Sequence, residues 1–406
     1  FCTMRNQRRS QVEFIVLMAA LMSIVALSID AVLPALPDIG DFLSVKDATD
    51  NPKLITSIFL GLGIGQLIFG PLSDSFGRKP IVYIGFVVFI IASIICVTTK
   101  SFEMMLFGRI LQGVGLASPR TMCIAMVRDS YSGDYMAKVL SFVVMIFILI
   151  PVIAPSLGQF LMNHYHWHSI FIFNLGFGVL VMLWFWIRQP ETLKPQYKIS
   201  YRLSIFKTGT IAFFRIKPAV IYTILSGLIT GSFMVYLSTS QRIFEQQYNM
   251  KEEFPLIFAS LAISVGLSTF MNSQLVVKFG MWRIVHFAML SFVLISLVFI
   301  ILFSSGNNPS IEVLLGFFAL QFFTIGFLFG NLRALAMEPM GHIAGIGSAL
   351  NGFISTVMAV PIANYIGKFV IDSVTPLFVG FLICGLVSLA LFYSNSAKFS
   401  RVFKNA

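Results

Sequence analysis

The sequence predicts an all-α integral membrane protein with twelve transmembrane helices in two pseudo-symmetric six-helix bundles. Three observations predict it. The first is composition: 57% of the 406 residues are hydrophobic, 11% are charged and 43 are Phe, and the mean hydropathy is +0.88. A soluble domain carries about 25% charged residues and cannot hide this much apolar surface from water. The same figures exclude disorder, collagen and coiled coil. A β-barrel would alternate over ~10-residue segments, whereas the apolar runs here are long and unbroken. The second observation is that the runs number twelve. The third is that a long basic stretch divides them six and six.

A helix needs ~20 apolar residues to cross the hydrocarbon core. Span 1 (14–36) follows a basic start and contains Asp30 in the run SIDAVLPALP. An acidic, polar loop (37–53) leads to span 2 (54–72), and a short basic turn leads to span 3 (80–98). Span 4 (104–127) carries Arg109, Pro119 and Arg120; span 5 (138–162) carries Pro151 and Pro155; span 6 (168–187) ends at the basic stretch 188–218. Spans 7 to 12 occupy 219–238, 255–276, 284–303, 311–336, 342–367 and 374–393, with short connections. The expected organisation is a bundle over 1–190, a cytoplasmic basic linker over 191–216 and a second bundle over 217–406. An internal repeat supports the two halves. Phe76-Gly77 recurs as Phe279-Gly280, 203 residues on, and the span ends near Asp129 and Glu338 are offset by 209.

The net charge of +11 would suggest nucleic acid for a soluble domain. Here topology explains it. With both termini cytoplasmic, the inner segments hold 19 of the 28 Lys and Arg and the outer segments 6. The inner set is Arg5, Arg8, Arg9, Arg78, Lys79, Arg128, Lys138, seven between 188 and 217, Lys278, Arg283, Lys398, Arg401 and Lys404. Positive charge marks the cytoplasmic side. Three arginines, Arg109, Arg120 and Arg333, fall inside spans. Of Cys2, Cys96, Cys123 and Cys384, three lie in apolar runs, so reduced structural thiols are expected rather than a disulfide framework. Phe-Cys-Thr ahead of Met4 reads as an expression scar before the natural start, and no cleavable signal is expected.

Residues 70–80 read GPLSDSFGRKP. This resembles the signature loop of the major facilitator superfamily, G-x-L-x-D-[RK]-x-G-R-[RK]. Gly70, Leu72, Asp74, Gly77, Arg78 and Lys79 match, and Ser75 replaces the usual basic residue. Glycines allow close helix approach and tight turns, and a carboxylate suits a helix N-terminus. The resemblance implies a cytoplasmic latch between the halves, built from Gly70, Asp74, Gly77, Arg78 and Asp129; a plain solvated turn is the alternative. Residues 109–115, RILQGVG, resemble the span-4 motif R-x-x-Q-G of proton antiporters. An intramembrane charge should face a cavity or a partner, and Asp30 is the expected partner of Arg109. Together they would make a proton switch, with a structural ion pair as the alternative. Residues 150–160, IPVIAPSLGQF, resemble the antiporter motif G-x-x-x-G-P-x-x-G-G through Pro151, Pro155 and Gly158, with Ala154 and Gln159 where Gly is usual. Prolines kink the helix and small residues permit close packing.

Together these motifs resemble the twelve-span drug:proton antiporters of the bicyclomycin-resistance/CflA group. Further matches are DxxLPALP at 30–37, QLIxGPLSD at 66–74, RDxY at 128–131 and PETL at 190–193. Some relatives carry a second acidic residue two turns before Asp30; here that position is near Met22, so proton binding is expected to rest on Asp30. The resemblance implies a proton-coupled exporter of small molecules working by alternating access in a bacterial inner membrane, with no cofactor.

Arg120 and Arg333 do not fit a cationic-drug template. An Arg in the bilayer costs at least ~2.5–3.5 kcal/mol, so Arg120 should face the central cleft. Arg333 could instead snorkel to the cytoplasmic surface. Gln112 and Asn331 are further candidates for the substrate cavity, and Phe233, Tyr236 and Phe353 are aromatics that could line it. Several cavity arginines would suit an anionic compound, such as a carboxylate siderophore, as the alternative export cargo; proton-coupled import by the same fold is the other alternative. His164, His166 and His168 alternate with Tyr165 and Trp167, which reads as an interfacial aromatic belt rather than a metal site. No Walker A motif appears, and no Ser-His or HExxH arrangement within the spans, so neither an ATPase nor an intramembrane enzyme is expected. The expected partners are a small-molecule substrate, protons and the lipid bilayer, with no nucleic acid and no metal, and the chain is expected to act as a monomer.

Overall fold

The computed structural model describes residues 10–131, 133–198, 203–303 and 308–394. Met4, Cys2, Arg5, Arg8, Arg9, Lys398, Arg401 and Lys404, and the side chain of Lys138, lie outside the described residues. Twelve long helices form the body. They are α1 (Gln11–Asp30), α2 (Lys53–Phe76), α3 (Arg78–Thr98), α4 (Phe102–Ser130), α5 (Gly133–His164) and α6 (His168–Arg188), then α7 (Lys217–Gln241), α8 (Phe254–Phe279), α9 (Met281–Leu302), α10 (Ile311–Met337), α11 (Ala344–Gly367) and α12 (Thr375–Ser394). Among the described residues eleven segments are long and apolar enough to cross a membrane. The remaining one, α5, is a continuous 32-residue helix, about 48 Å long at 1.5 Å per residue.

Two kinds of helix surface are present. α3 leaves Ile84, Val87, Ile91 and Ile94 exposed at a spacing of three and four, and α9 does the same with Leu290, Leu294, Leu297 and Ile301. Apolar faces of this kind meet lipid tails. α1 is instead buried on every side from Leu21 through Asp30 and on to Leu36, as expected of a helix that is apolar all round. Lipid gives helices no hydrophobic reason to associate, so close packing must supply it. In the α2–α4 contact an added Cβ at Gly61 would run into the Ile110 carbonyl, and one at Gly113 into the Ile58 carbonyl.

The repeat read from Phe-Gly is visible in the backbone. Gly77 (φ 107°) and Gly280 (φ 77°) are the two positive-φ glycines among the described residues. Each closes one helix and opens the next, α2 into α3 and α8 into α9. A polar contact repeats as well. Gln112 Nε2 donates to Ser93 Oγ at 2.9 Å, and Gln321 Nε2 donates to Ser296 Oγ at 3.1 Å. These pairs join α4 to α3 and α10 to α9, at the same 203 and 209 offsets.

The halves meet along two seams, α2 with α11 and α5 with α8. The basic stretch expected as a linker is not a plain loop. Its start, Glu191–Leu193, folds back onto the first half. Its end forms a helix, Leu203–Arg215, which packs on α11 and α7. That helix is too short and too charged to cross a bilayer. It buries Gly209 and Phe213, one turn apart, with Phe213 joining Ala219, Met340 and Leu350 in a small apolar cluster.

Candidate functional site

A cavity of about 430 Å³ lies between the halves. Its only carboxylate among the described residues is Asp30, and its cations are Arg120 and Arg333. The wall between them is largely aromatic: Phe59, Phe233, Tyr236, Phe258, Phe322 and Phe329. Gln66, Ser226, Thr230, Asn351, Ser355 and Thr356 add polar groups.

Local sequence explains the position of Asp30. Pro34 lacks the N–H that would bond the Asp30 carbonyl four residues back. α1 therefore stops at Asp30, turns through a 3₁₀ segment (Leu33–Ala35) and restarts as a short helix, Leu36–Phe42. The break is held by α5, where an added Cβ at Gly158 would strike the Ala31 carbonyl. Pro151, further along α5, lines the cavity, while Pro155 is buried. Thus Gly158 of the span-5 motif packs α5 onto α1 of its own half, and α5 also packs against α8 of the other.

The expected Asp30–Arg109 ion pair is not formed: among the described residues no salt bridge joins them. Arg109 is fully buried between helices. Its Nε donates to the Leu54 carbonyl at 3.0 Å, and its Nη1 donates to the Ser28 carbonyl and to Gln112 Oε1, both at 3.0 Å. Its guanidinium lies 5.6 Å from the Phe171 ring. Two main-chain carbonyls and an amide satisfy most of the cation, so it needs no carboxylate. Its Nη2 alone has no acceptor. Arg109 thus pins α1 two residues before Asp30. Gln112 belongs to this cluster and not to the cavity wall. Asn331 is likewise a helix tie, donating to Asn272 Oδ1 at 2.6 Å and to the Phe327 carbonyl. Of the aromatics named from sequence, Phe233 and Tyr236 line the cavity and Phe353 does not.

The signature loop forms a compact network. Arg78 pairs with Asp74 (2.5 Å) and Asp129 (2.9 Å) and donates to Ser73 Oγ at 2.6 Å. Glu191 completes it. Its Oε1 accepts from the Arg78 N–H at 3.1 Å and its Oε2 from the Lys79 N–H at 3.0 Å. A carboxylate 112 residues away in sequence thereby caps the start of α3, where the first N–H groups have no helical partner. These bonds join segments of the first half to one another. Gly70 joins the network through its carbonyl, which accepts from Ser73 Oγ at 2.7 Å, and lies on the seam, where an added Cβ would stand 3.6 Å from the Ala349 Cβ.

The opposite end of the bundle is closed by different chemistry. Arg242, one of the six cations counted in the outer segments, is 6% exposed. It opens a π-helical turn (Arg242–Gln247) after α7. Its Nη2 donates to the Ala48 carbonyl of the first half at 2.6 Å, and its Nη1 to the Val370 carbonyl at 3.3 Å. Thr56 Oγ1 donates to Asn364 Oδ1 at 2.8 Å across the same end of the α2–α11 seam. Arg333, in the last turns of α10 toward the basic end, is exposed. His164 Nδ1 lies 2.9 Å from the Phe160 carbonyl, and His168 stacks on buried Trp167 with ring centres 3.6 Å apart.

Two helical bundles around a polar-spotted cavity, sealed at one end, define a secondary transporter rather than an enzyme. The Major Facilitator Superfamily profile matches residues 18–363, and the chain belongs to that family. It is 26% identical over 402 residues to a bicyclomycin resistance protein homolog of Haemophilus influenzae, covering 97% of this chain and 98% of that one. It is 29% identical over 371 residues to the multidrug resistance protein MdtL of Shewanella oneidensis, covering 89% and 90%. A chloramphenicol resistance protein of Pseudomonas aeruginosa is 26% identical over 372 residues, covering 86% and 84%. Among solved structures, the human organic anion transporter MFSD10 superposes with a TM-score of 0.70 at 15% identity, over 95% of this chain and 99% of that one. A D-xylose-proton symporter gives 0.71 at 15% identity, over 94% and 97%. At that identity the two structures speak for the fold.

Proposed function

We propose that the protein is a proton-coupled exporter of small molecules in a bacterial cytoplasmic membrane, with both termini inside. The observation that carries this reading is Asp30, alone among the described residues as a carboxylate on the cavity wall. Relatives named for bicyclomycin, multidrug and chloramphenicol resistance support export. The excess of Lys and Arg at the end bearing Arg78 and Arg128 supports a cytoplasmic placement of that end. Halves 1–190 and 217–406 rock about the two seams. Opening of the Arg242 end exposes Asp30 to the outside, where cargo leaves and a proton binds. Closure returns the proton to the cytoplasm as new cargo enters. The network at Arg78, which here ties the first half to itself, would latch onto the second half only when the cytoplasmic end closes, and Arg109 positions Asp30 by holding the Ser28 carbonyl.

The test is chloramphenicol flux in proteoliposomes under an imposed pH gradient. The native protein should accumulate the drug on the acidic side, and Asp30→Asn should abolish that accumulation while retaining drug binding. Gradient-driven flux by Asp30→Asn equal to native would overturn the proton role. Accumulation on the alkaline side would reverse the direction.

A further inference from the structure

The charges on the cavity wall are segregated. Asp30 ends α1, which runs toward the sealed end, whereas Arg333 lies in the last turns of α10, which runs toward the basic end. Arg120 and Arg333 line the same cavity. Neither has a carboxylate partner among the described residues. Arg333 makes one long contact with a neutral acceptor, Ser348 Oγ, at 3.3 Å. The other intramembrane or buried arginines are provided for: Arg78 by two carboxylates, Arg109 and Arg242 by carbonyls. Arg120 is half-buried and Arg333 exposed on the basic side of the cavity, so both guanidiniums are open to an anionic group that enters from that side. A planar guanidinium fork matches a carboxylate geometrically. Between the two charged ends, Phe233 packs against Phe322 and Phe329 with ring centres 5.5 and 5.7 Å apart.

We infer that the cargo is an aromatic zwitterion, with its anionic group on Arg120 and Arg333 and its amine toward Asp30. The inference rests on the transport reading above and names the substrate class of the same cavity. It also accounts for exchange: an ammonium and a proton compete for one carboxylate, which a purely anionic cargo would not do.

The experiment measures equilibrium binding to detergent-solubilised protein of four matched probes. These are 4′-(aminomethyl)biphenyl-4-carboxylate, its methyl ester, its N-acetyl derivative and the doubly blocked compound. The zwitterion should bind tightest, and blocking either end should cost about tenfold, the size of one charge-assisted hydrogen bond. Arg333→Gln should erase the preference for the free carboxylate and leave the preference for the free amine. Asp30→Asn should do the reverse. Arg333→Lys, which keeps the charge, should retain part of the carboxylate preference and report on folding. Equal binding of all four probes, or an equal loss for all four in Arg333→Gln, would overturn the inference. The binding ladder without any gradient-driven flux of the zwitterion in proteoliposomes would defeat the export reading and leave the subsite standing. Chloramphenicol flux with no ladder would do the opposite.

Discussion

Gly77 and Gly280 offer a substitution experiment with its own control. Gly77 has φ 107° and ψ 160°, and Gly280 has φ 77° and ψ 150°. This region of backbone space is nearly exclusive to glycine, and an L side chain there costs about 1–3 kcal/mol. Alanine pays that cost at both sites. The surroundings differ. A Cβ at Gly77 would stand 2.6 Å from Glu191 Oε2, whereas one at Gly280 meets nothing within 4 Å. Gly77→Ala must therefore also push away the carboxylate that caps α3. A lost cap costs about 1 kcal/mol, and the charge at the helix N-terminus adds about 0.5 kcal/mol; Glu191 is exposed, so screening trims the second figure. Gly77→Ala should thus lose about 1–1.5 kcal/mol more than Gly280→Ala. At roughly 2 °C per kcal/mol for a chain of this size, that is about 2–3 °C in apparent melting temperature, read in one detergent at one scan rate. In a Glu191→Ala background the extra loss should vanish, since the cap is already gone. Equal losses at the two glycines, or an extra loss that survives removal of Glu191, would refute the reasoning.

Three further outcomes are expected. Arg242→Ala should loosen the sealed end and speed labelling of a cysteine placed at Phe258 by an impermeant maleimide added from that side, with the native cysteines replaced; unchanged labelling would show that the seal lies elsewhere. Gly158→Leu should prevent the approach of α5 to the Ala31 carbonyl and sharply reduce folded yield by size-exclusion chromatography, whereas leucine at Gly316, with nothing near it, should be tolerated. Gln112→Leu removes one interhelical hydrogen bond, to Ser93, and Gln321→Leu two, to Ser296 and the Phe292 carbonyl, each about 0.6 kcal/mol on average in membranes. Gln112→Leu should melt lower, because it also takes an acceptor from buried Arg109.

The fold was legible because a bilayer imposes length and polarity on every span. The repeat was legible because a helix–turn–helix joint at φ above zero demands glycine, and two such joints stand 203 residues apart. The site was only partly legible. In a soluble helix, polarity separates the core from the surface. Here Ile84 faces lipid and Phe322 faces the cavity, both apolar, so no periodicity distinguishes them. A charged residue in a span must avoid lipid, yet that rule is met equally by the cavity, as for Arg120, and by carbonyls between helices, as for Arg109. Glu191 stood in a recognisable PETL segment, but its role as a cap for α3 depends on folding across 112 residues. Arg242 lay beyond the expected end of span 7, where a cation normally reads as solvated; the π-helical turn carried it back inside.

The acceptors for Arg242 are main-chain carbonyls, and Thr56 bonds an amide. None of these groups titrates. The neighbouring Asp47 is held below the usual carboxylate range, chiefly by its bonds to Thr49 and then by the charge of Arg242, so it keeps its charge as that compartment acidifies. These closing bonds therefore make and break without a change of protonation at the bonded atoms, although a half-buried carboxyl, Glu245, stands in the same π-helical turn. One guanidinium gripping a main-chain carbonyl from each half makes that end a plain mechanical stop.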